Sequence, residues 1–256
     1  MVTAAARRPR LALCAHAKVN LTLQVLGSDS EGYHQIRTRY QAISLHDLLL
    51  VSPAGSTTLS GGFPDDLVLR SSRILEQAAG RPLPASFRLI KRIPAGAGLG
   101  GGSSDAAAAL RALARLYRLE FDLGPVAAAV GADVPFFLAG GAMEGSGRGE
   151  RLRPVELASG WFALAWPGFG VSTAAAYRAW DRIGGEGANE LARAALDVEP
   201  RLAAFARQLG PGWRMTGSGT AFFRLTPTRK QAEAAVAPLR CWTSIARPVG
   251  RWGGDA

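Results

Sequence analysis

KRIPAGAGLGGGSSDAAAALRALARLY, residues 91–117, is the stretch on which the fold depends. Five of the seven residues from 96 to 102 are glycine, and a helix signal follows them directly. Ser103, Ser104 and Asp105 predict the start of that helix, because such side chains accept hydrogen bonds from the free N–H groups of a first turn. Its apolar residues recur at the spacing of one helix face, at Leu110, Leu113, Ala114 and Tyr117.

Glycines in front of a helix N-terminus are typical of a phosphate-binding loop. A backbone without Cβ atoms can take positive φ and approach a ligand closely, and the helix dipole adds positive potential there. A Walker A loop is excluded, because Gly102 stands where its lysine belongs. A dinucleotide pattern, G-x-G-x-x-G with Glu120 downstream, fits the spacing, but the preceding residues 91–94 do not form a buried strand. A flexible linker is the remaining alternative.

Composition narrows the class of protein. The chain has 256 residues, of which 48% are hydrophobic and 20% charged, so it can bury a core over one large or two ordinary domains. The net charge of +10 attracts polyanions and keeps nucleic-acid binding as an alternative, although the arginines are scattered.

Cys14 and Cys241 lie among apolar residues and predict buried free thiols in a reducing cytosol. No cluster of His and Cys residues has metal-ligand spacing, and no apolar run is long enough to span a membrane.

The N-terminus resembles a signal peptide at first sight, with Arg7, Arg8 and Arg10 before LALCAHA. The apolar part is short and is interrupted by His16. Residues 11–26 alternate as a β-strand, with Val19, Leu21, Leu23 and Val25 on one face and Lys18, Asn20, Thr22 and Gln24 on a wet face. We therefore expect no cleavage and a cytoplasmic protein.

Further elements follow from local patterns along the chain. Strands are predicted at 48–59, 87–90, 220–225 and 241–249, the last at a sheet edge. Helices are predicted at 66–79, 125–133 and 229–240, a glycine-rich hairpin at 140–149, and a strand, turn and helix over 161–180. Residues 188–191 predict another helix start.

Several polar residues in this framework are candidates for chemistry, although each also has an ordinary structural interpretation. Lys18 and Asn20 could be solvated on a strand face, and Tyr33-His34 could form an exposed rim. Asp133, between a small-residue turn and Val134-Pro135, has the residue type of a turn or helix cap. The segment 217–219, Gly-Ser-Gly, could be a simple turn between strands.

The segment PAGAGLGGGSSDAA, residues 94–107, resembles the ATP-binding motif of the GHMP kinase superfamily, P-x-x-x-G-L-G-S/G-S-S-A/D-A. AKVNL (17–21) and RMTGSGTAFF (214–223) resemble the first and third motifs of that superfamily. EGYHQIRT (31–38) is similar to a signature of the branch that uses a cytidine-diphosphate-linked alcohol, with Glu31 in place of the usual Asp. The resemblance implies a two-domain α+β GHMP kinase fold, with a ribosomal-S5-like domain at 1–152 and a ferredoxin-like domain at 153–256.

The resemblance also implies site residues. It makes Asp133 the catalytic base and places Lys18 near the phosphoryl acceptor, where its charge would keep Asp133 ionised. ATP-binding residues would be Lys91, Pro94, Ala95, Gly96, Ala97, Gly98, Leu99, Gly100, Gly101, Gly102, Ser103 and Ser104. Substrate-binding residues would be Asn20, Tyr33, His34, Thr173, Tyr177, Gly217, Ser218 and Gly219. Asp66 stands where the superfamily branch usually has Asn, which bears on the adenine contacts.

The implied reaction moves the γ-phosphoryl group of ATP, with Mg²⁺, to the 2-hydroxyl of 4-diphosphocytidyl-2-C-methyl-D-erythritol in isoprenoid precursor synthesis. The partners would be these small molecules, without nucleic acid or membrane, for a monomer or weak homodimer. Another small-molecule kinase of the same superfamily, for example of the mevalonate type, is one alternative. A basic, non-enzymatic nucleic-acid-binding protein is the other.

Overall fold

The computed structural model describes residues 11–63 and 66–252, and it confirms the α+β class. The strands are β1 (Leu11–Ser28), β2 (His34–Pro53), β3 (Thr58–Ser60), β4 (Ala85–Ile90), β5 (Ala142–Ser146), β6 (Arg151–Pro154), β7 (Trp161–Trp166), β8 (Arg214–Met215), β9 (Phe222–Thr226) and β10 (Trp242–Ala246). The helices are α1 (Leu67–Ala79), α2 (Gly101–Tyr117), α3 (Gly124–Val130), α4 (Val134–Ala139), α5 (Thr173–Ile183), α6 (Leu191–Val198), α7 (Arg201–Leu209) and α8 (Arg229–Val236).

The chain forms two compact units. Within the described residues, the first contains 11–15, 46–63, 66–92 and 102–138, and the second contains 16–45, 93–101 and 139–252. The chain passes from one unit to the other inside β1 and inside β2. The division of the chain into two consecutive domains, 1–152 and 153–256, stays a prediction. The N-terminal segment for which no cleavage was predicted includes Arg7, Arg8 and Arg10, and these three residues lie outside the described residues.

The first unit is built on the end of β2. Residues 48–53 of β2 pair antiparallel with β4, and β3 pairs parallel with β4. Helix α2 buries its alanine-rich face, from Ala106 to Ala109, together with Leu110 and Leu113. Helix α1 begins where predicted, because Asp66 accepts the N–H groups of Val68 and Phe63.

The second unit contains two antiparallel arrangements of strands. In one, β2 pairs with β5 and β5 with β6; in the other the strand order is β10-β7-β9-β8. The predicted edge position of the last strand, β10, is confirmed. Val19 and Leu21 of β1 pack with Phe162 and Phe223 in a buried apolar cluster, as the alternation of β1 requires.

Several predicted boundaries are wrong. The strand predicted at 48–59 is two strands, because β2 ends at Pro53 and a turn precedes β3. Helix α2 begins at Gly101, so Ser103 lies inside its first turn rather than in front of it. The predicted helix at 125–133 ends at Val130, and Val134 opens a further helix, α4. Residues 34–47 of β2 and helix α7 were not predicted.

The prediction that Cys14 is buried is also wrong. Cys14 is exposed, because its neighbours at 13 and 15 take the inward positions of β1. Cys241 is half-buried, and burial raises the pKa of its thiol.

Candidate active site

Lys18 and Asn20 lie side by side on β1, and both are buried. Their exposed fractions are 5% and 2%, whereas Thr22 and Gln24 on the same face are exposed. The wet face predicted for this strand is therefore wrong at its first two positions. A buried ammonium is costly unless polar groups compensate it, and Nζ of Lys18 donates to Oδ1 of Asn20 at 2.6 Å. The hydrogen bond to Asn20 offsets part of the cost of burying Lys18 and fixes where its ammonium lies.

Two threonine hydroxyls hold the Asn20 side-chain amide and its strand. The backbone N–H of Asn20 donates to Oγ1 of Thr216 at 2.7 Å. Its Nδ2 donates to Oγ1 of Thr38 at 2.7 Å, and Thr38 in turn donates to the carbonyl of Thr22. The amide oxygen is therefore directed at Lys18, and the orientation of both side chains is determined. Neither threonine was predicted to belong to the site.

The loop at 217–219 lies directly against this pair. Gly217 has φ +60°, and a Cβ on it would lie 3.0 Å from Oδ1 of Asn20 and 3.5 Å from Nζ of Lys18. Nδ2 of Asn189 donates to the carbonyls of Met215 and Gly217, which fixes the loop from its other side. The structure thus brings the lysine motif and the Gly-Ser-Gly motif together.

The glycine-rich loop packs on the same segment. Gly96, Gly98 and Gly100 all have positive φ, between 73° and 79°. A Cβ on Gly98 would lie 2.6 Å from Cα of Gly219, and a Cβ on Gly219 would lie 2.2 Å from Cα of Gly98. Only two glycines allow the backbones to approach so closely.

Backbone hydrogen bonds complete this arrangement. The N–H of Ala221 donates to the carbonyl of Ala97, and the N–H of Lys18 donates to the carbonyl of Leu99, each at 2.9 Å. Ala97 and Leu99 are each only 1% exposed. A flexible linker is therefore wrong for residues 96–100, which form an anchored loop leading into α2. Ser103 is half-buried in the first turn of that helix, and Ser104 is buried.

Lys91 belongs to a cluster in the first unit. Its Nζ donates to Oδ2 of Asp47 at 2.5 Å and to Oδ2 of Asp105 at 2.7 Å. Burial works against the ammonium, yet the two carboxylates outweigh it and raise the pKa of Lys91. Burial, together with the negative charge of Asp47, raises the pKa of Asp105 to about 7 in spite of Lys91. Asp47 was not singled out by the sequence, and Asp105 was predicted only as part of a cap.

We expect Asp105→Asn to change the pH dependence of stability. The folded chain retains a proton on Asp105 up to a pKa of about 7, whereas an ordinary Asp releases it near 3.8. The stability contributed by this group therefore falls as pH rises between those two values. Relative to the wild type, the variant should gain up to about 1.4 kcal/mol in free energy of unfolding per pH unit across that interval.

The measurement is urea unfolding at about pH 4.5, 6 and 7.5, of which the first two lie inside the interval between the two pKa values and the third lies just above it. Glu120→Gln is the matched control, because Glu120 is an exposed carboxylate just after α2. A constant difference between Asp105→Asn and the wild type at all three pH values would contradict the raised pKa.

His34 is the centre of an aromatic cluster in the second unit. Its imidazole stacks on the ring of Tyr177 at 4.5 Å between centroids and meets the ring of Trp180 edge-on at 5.9 Å. Nε2 of His34 lies 2.7 Å from Oδ1 of Asp181. The structure therefore brings two predicted residues, His34 and Tyr177, into direct contact. Trp180 and Asp181 were not predicted, although they share one face of α5 with Tyr177.

Tyr33 and Thr173 have different surroundings. Tyr33 is 55% exposed, and the guanidinium of Arg148 lies 3.7 Å from its ring centroid. Arg148 is held by Asp29 and Glu31, and the Tyr33 N–H and Arg148 keep the pKa of Asp29 below its usual range. Arg148, which carries the guanidinium against Tyr33, was not singled out by the sequence.

Thr173 contacts the Gly-Ser-Gly loop. Its hydroxyl lies 2.8 Å from that of Ser218.

Asp133 is half-buried in the first unit, immediately before α4. Gly131 ends α3 through a hydrogen bond from its N–H to the carbonyl of Ala127, and the Val134 N–H returns to the carbonyl of Gly131 at 3.0 Å. The side chains of Phe136 and Phe137 anchor α4 in the core. Asp133 is thus carried by a tight connection between two short helices.

Within residues 11–63 and 66–252, no group of three or more His, Cys, Asp and Glu side chains is arranged to hold a metal ion. In the same part of the chain, every helix is too short or too polar to cross a membrane.

Comparison with known proteins identifies the family. Residues 66–141 match the GHMP kinases N terminal domain. The chain is 38% identical to the 4-diphosphocytidyl-2-C-methyl-D-erythritol kinase of Thermus thermophilus, covering 94% of this chain and 97% of that protein. A crystal structure of 4-(cytidine 5'-diphospho)-2C-methyl-D-erythritol kinase superposes with a TM-score of 0.77 at 38% identity, covering 93% of this chain and 99% of the other. Methanococcus jannaschii mevalonate kinase, at 14% identity, shares the fold with a TM-score of 0.64 over 94% of this chain and 98% of its own. The chain belongs to the 4-diphosphocytidyl-2-C-methyl-D-erythritol kinase family of the GHMP kinases.

Proposed function

We propose that this chain transfers the γ-phosphoryl group of ATP to the 2-hydroxyl of 4-diphosphocytidyl-2-C-methyl-D-erythritol, called the cytidyl substrate below. The observation that carries the proposal is the buried Lys18–Asn20 pair against Gly217, in a chain that is related over nearly its whole length to kinases of this substrate. Phosphoryl transfer needs fixed positive charge at the transferred group more than it needs covalent chemistry.

The glycine-rich loop forms the binding site for the phosphates of ATP in this proposal. Residues 94–104 lead into the N-terminus of α2, where free N–H groups and the helix dipole attract phosphate. Anchoring of Gly98 on Gly219 keeps the loop in one conformation before the nucleotide arrives. Lys91, held between Asp47 and Asp105, lies at the start of the same stretch and completes the set of proposed nucleotide-binding residues.

The remaining residues act on the acceptor. Lys18 would stabilise the charge that develops on the transferred phosphoryl, and Asn20 would hold the ammonium and the acceptor alcohol in place. Asp133 would accept the proton of the attacking hydroxyl as the new P–O bond forms. Tyr33, His34 and Tyr177 would bind the cytosine ring, and residues 173 and 217–219 would line the path of the diphosphate.

Mg²⁺ is part of this proposal because it neutralises the β- and γ-phosphates during transfer. Magnesium keeps several waters and takes one or two protein oxygens besides the phosphate oxygens. The residues at the start of α2 fit this requirement, since the Ser103 hydroxyl is an oxygen donor in the first helical turn and is half-buried, whereas Ser104 is 2% exposed. Ser103 would therefore be the hydroxyl that contacts the metal.

The experiment is ADP release by the purified protein in Mg-ATP, with the cytidyl substrate, with mevalonate and without an acceptor. We expect turnover that depends on the cytidyl substrate and exceeds the rate with mevalonate by at least about a hundredfold. Turnover with mevalonate alone would keep the kinase and reject the substrate. Binding of polynucleotide with steep salt dependence and no acceptor-dependent turnover would reject the kinase.

A further inference from the structure

Asp181 on α5 pairs with a histidine that lies 147 residues earlier in the chain. Nε2 of His34 is 2.7 Å from Oδ1 of Asp181, which is hydrogen-bond distance. The His34 side chain is 13% exposed and that of Asp181 is 50% exposed, so the imidazole is largely enclosed and its partner reaches it from the surface.

The pairing determines which nitrogen of His34 carries the proton. An ionised carboxylate can only accept hydrogen bonds, so Nε2 must be the donor to Asp181. A neutral imidazole has one N–H, and therefore Nδ1 is left with a lone pair. Within the part of the chain that the structure describes, Nδ1 of His34 makes no hydrogen bond to protein. The imidazole consequently offers an acceptor that the fold itself does not use.

The ring is fixed in orientation as well as in tautomer. Tyr177 stacks on it with an angle of 21° between the ring planes, and Trp180 meets it edge-on at 86°. These two aromatic residues and Asp181 occupy positions i, i+3 and i+4 of α5, so one face of a single helix holds the imidazole. A ring held on three sides cannot turn its other nitrogen outward without breaking these contacts.

We propose that Asp181 is a positioning residue that keeps Nδ1 of His34 an acceptor for the exocyclic amino group of cytosine, and so selects cytosine over uracil. The inference rests on the proposed function, in which His34 contacts the base. Cytosine presents an amino donor at C4, whereas uracil has a carbonyl acceptor at the equivalent position. An acceptor facing an acceptor is repelled and leaves both groups unpaired, which is how a polar site rejects the wrong ligand.

The test compares wild type and Asp181→Asn in kcat/KM for the cytidyl substrate and for its uridine counterpart. Asparagine has nearly the same size but presents either an oxygen or an N–H to Nε2, so both tautomers of His34 become available. We expect the ratio of the two kcat/KM values, cytidyl over uridyl, to fall about tenfold in the variant. Nitrogen-15 spectra of His34 should show the Nε2–H tautomer in the wild type and a mixture in the variant.

Asp197→Asn is the matched control, because Asp197 is 42% exposed and pairs with Arg182, which also lies on α5. This control removes an exposed ion pair between α5 and α6 and should leave the ratio unchanged. An unchanged ratio in Asp181→Asn, an Nδ1–H tautomer in the wild type, or equal wild-type use of both bases would overturn the inference while leaving the kinase intact. Wild-type protein that phosphorylates neither compound would instead overturn the proposed function.

Discussion

Lys18→Met should lower kcat about a thousandfold while leaving the protein folded. The methionine side chain fills a similar volume, and replacing a buried charge with an apolar group of that size costs little or even stabilises. The main structural cost is at Asn20, whose Oδ1 loses the donor that now lies 2.6 Å away, and that loss is worth about 1 kcal/mol. The large effect should therefore appear in catalysis rather than in stability.

The measurement is kcat with saturating Mg-ATP and cytidyl substrate, together with the thermal midpoint of unfolding. Lys230→Met is the matched control, since Lys230 is exposed at the start of α8, and it should retain wild-type kcat. Lys18→Arg keeps the charge but not the compact ammonium, and we expect it to recover only part of the lost rate. A kcat within tenfold of the wild type in Lys18→Met would remove Lys18 from the catalytic machinery.

Much of the second unit could be predicted because its signals are local. Alternation of apolar residues predicted β1, and glycines before an alanine-rich helix predicted a phosphate-binding loop. Those signals require no knowledge of what lies opposite each residue. The burial of Asn20 did require such knowledge, because its N–H bonds to Thr216, 196 residues away. A polar residue on an alternating strand looks solvated until its distant partner is known.

The missed strand and the missed partners have the same cause. Residues 34–47 of β2 carry polar side chains inward, among them Thr38 and Gln41, which are 1% and 0% exposed. The side-chain oxygen of Gln41 accepts a hydrogen bond from the N–H of Ala158, which allows this polar residue to be buried. The pattern of hydrophobic residues therefore gives no indication that Gln41 is buried. Asp181 was missed likewise, since an acid on a helix surface has no local signal until His34 is beside it.

Asp133→Asn should lower kcat by a factor of about a thousand, comparable to the loss of a general base. Asn cannot accept the proton of the attacking hydroxyl, so the contribution of base catalysis disappears. By residue type, however, Asp133 is equally suited to capping α4, which begins at the next residue. The substitution separates the two roles, because Asn is as good an N-cap residue as Asp and has nearly the same shape.

The catalytic role therefore predicts low kcat with an unchanged midpoint of unfolding for Asp133→Asn. A purely structural role predicts full activity for Asp133→Asn and Asp133→Ser, which keep a cap, and a loss of about 1 kcal/mol for Asp133→Ala, which does not. Combining Asp133→Asn with Lys18→Met adds a second test. If both residues act on the same phosphoryl transfer step, the kcat of the double variant should be little lower than that of either single variant. Multiplying losses would mean that they act independently, and would contradict the predicted pairing of the two charges.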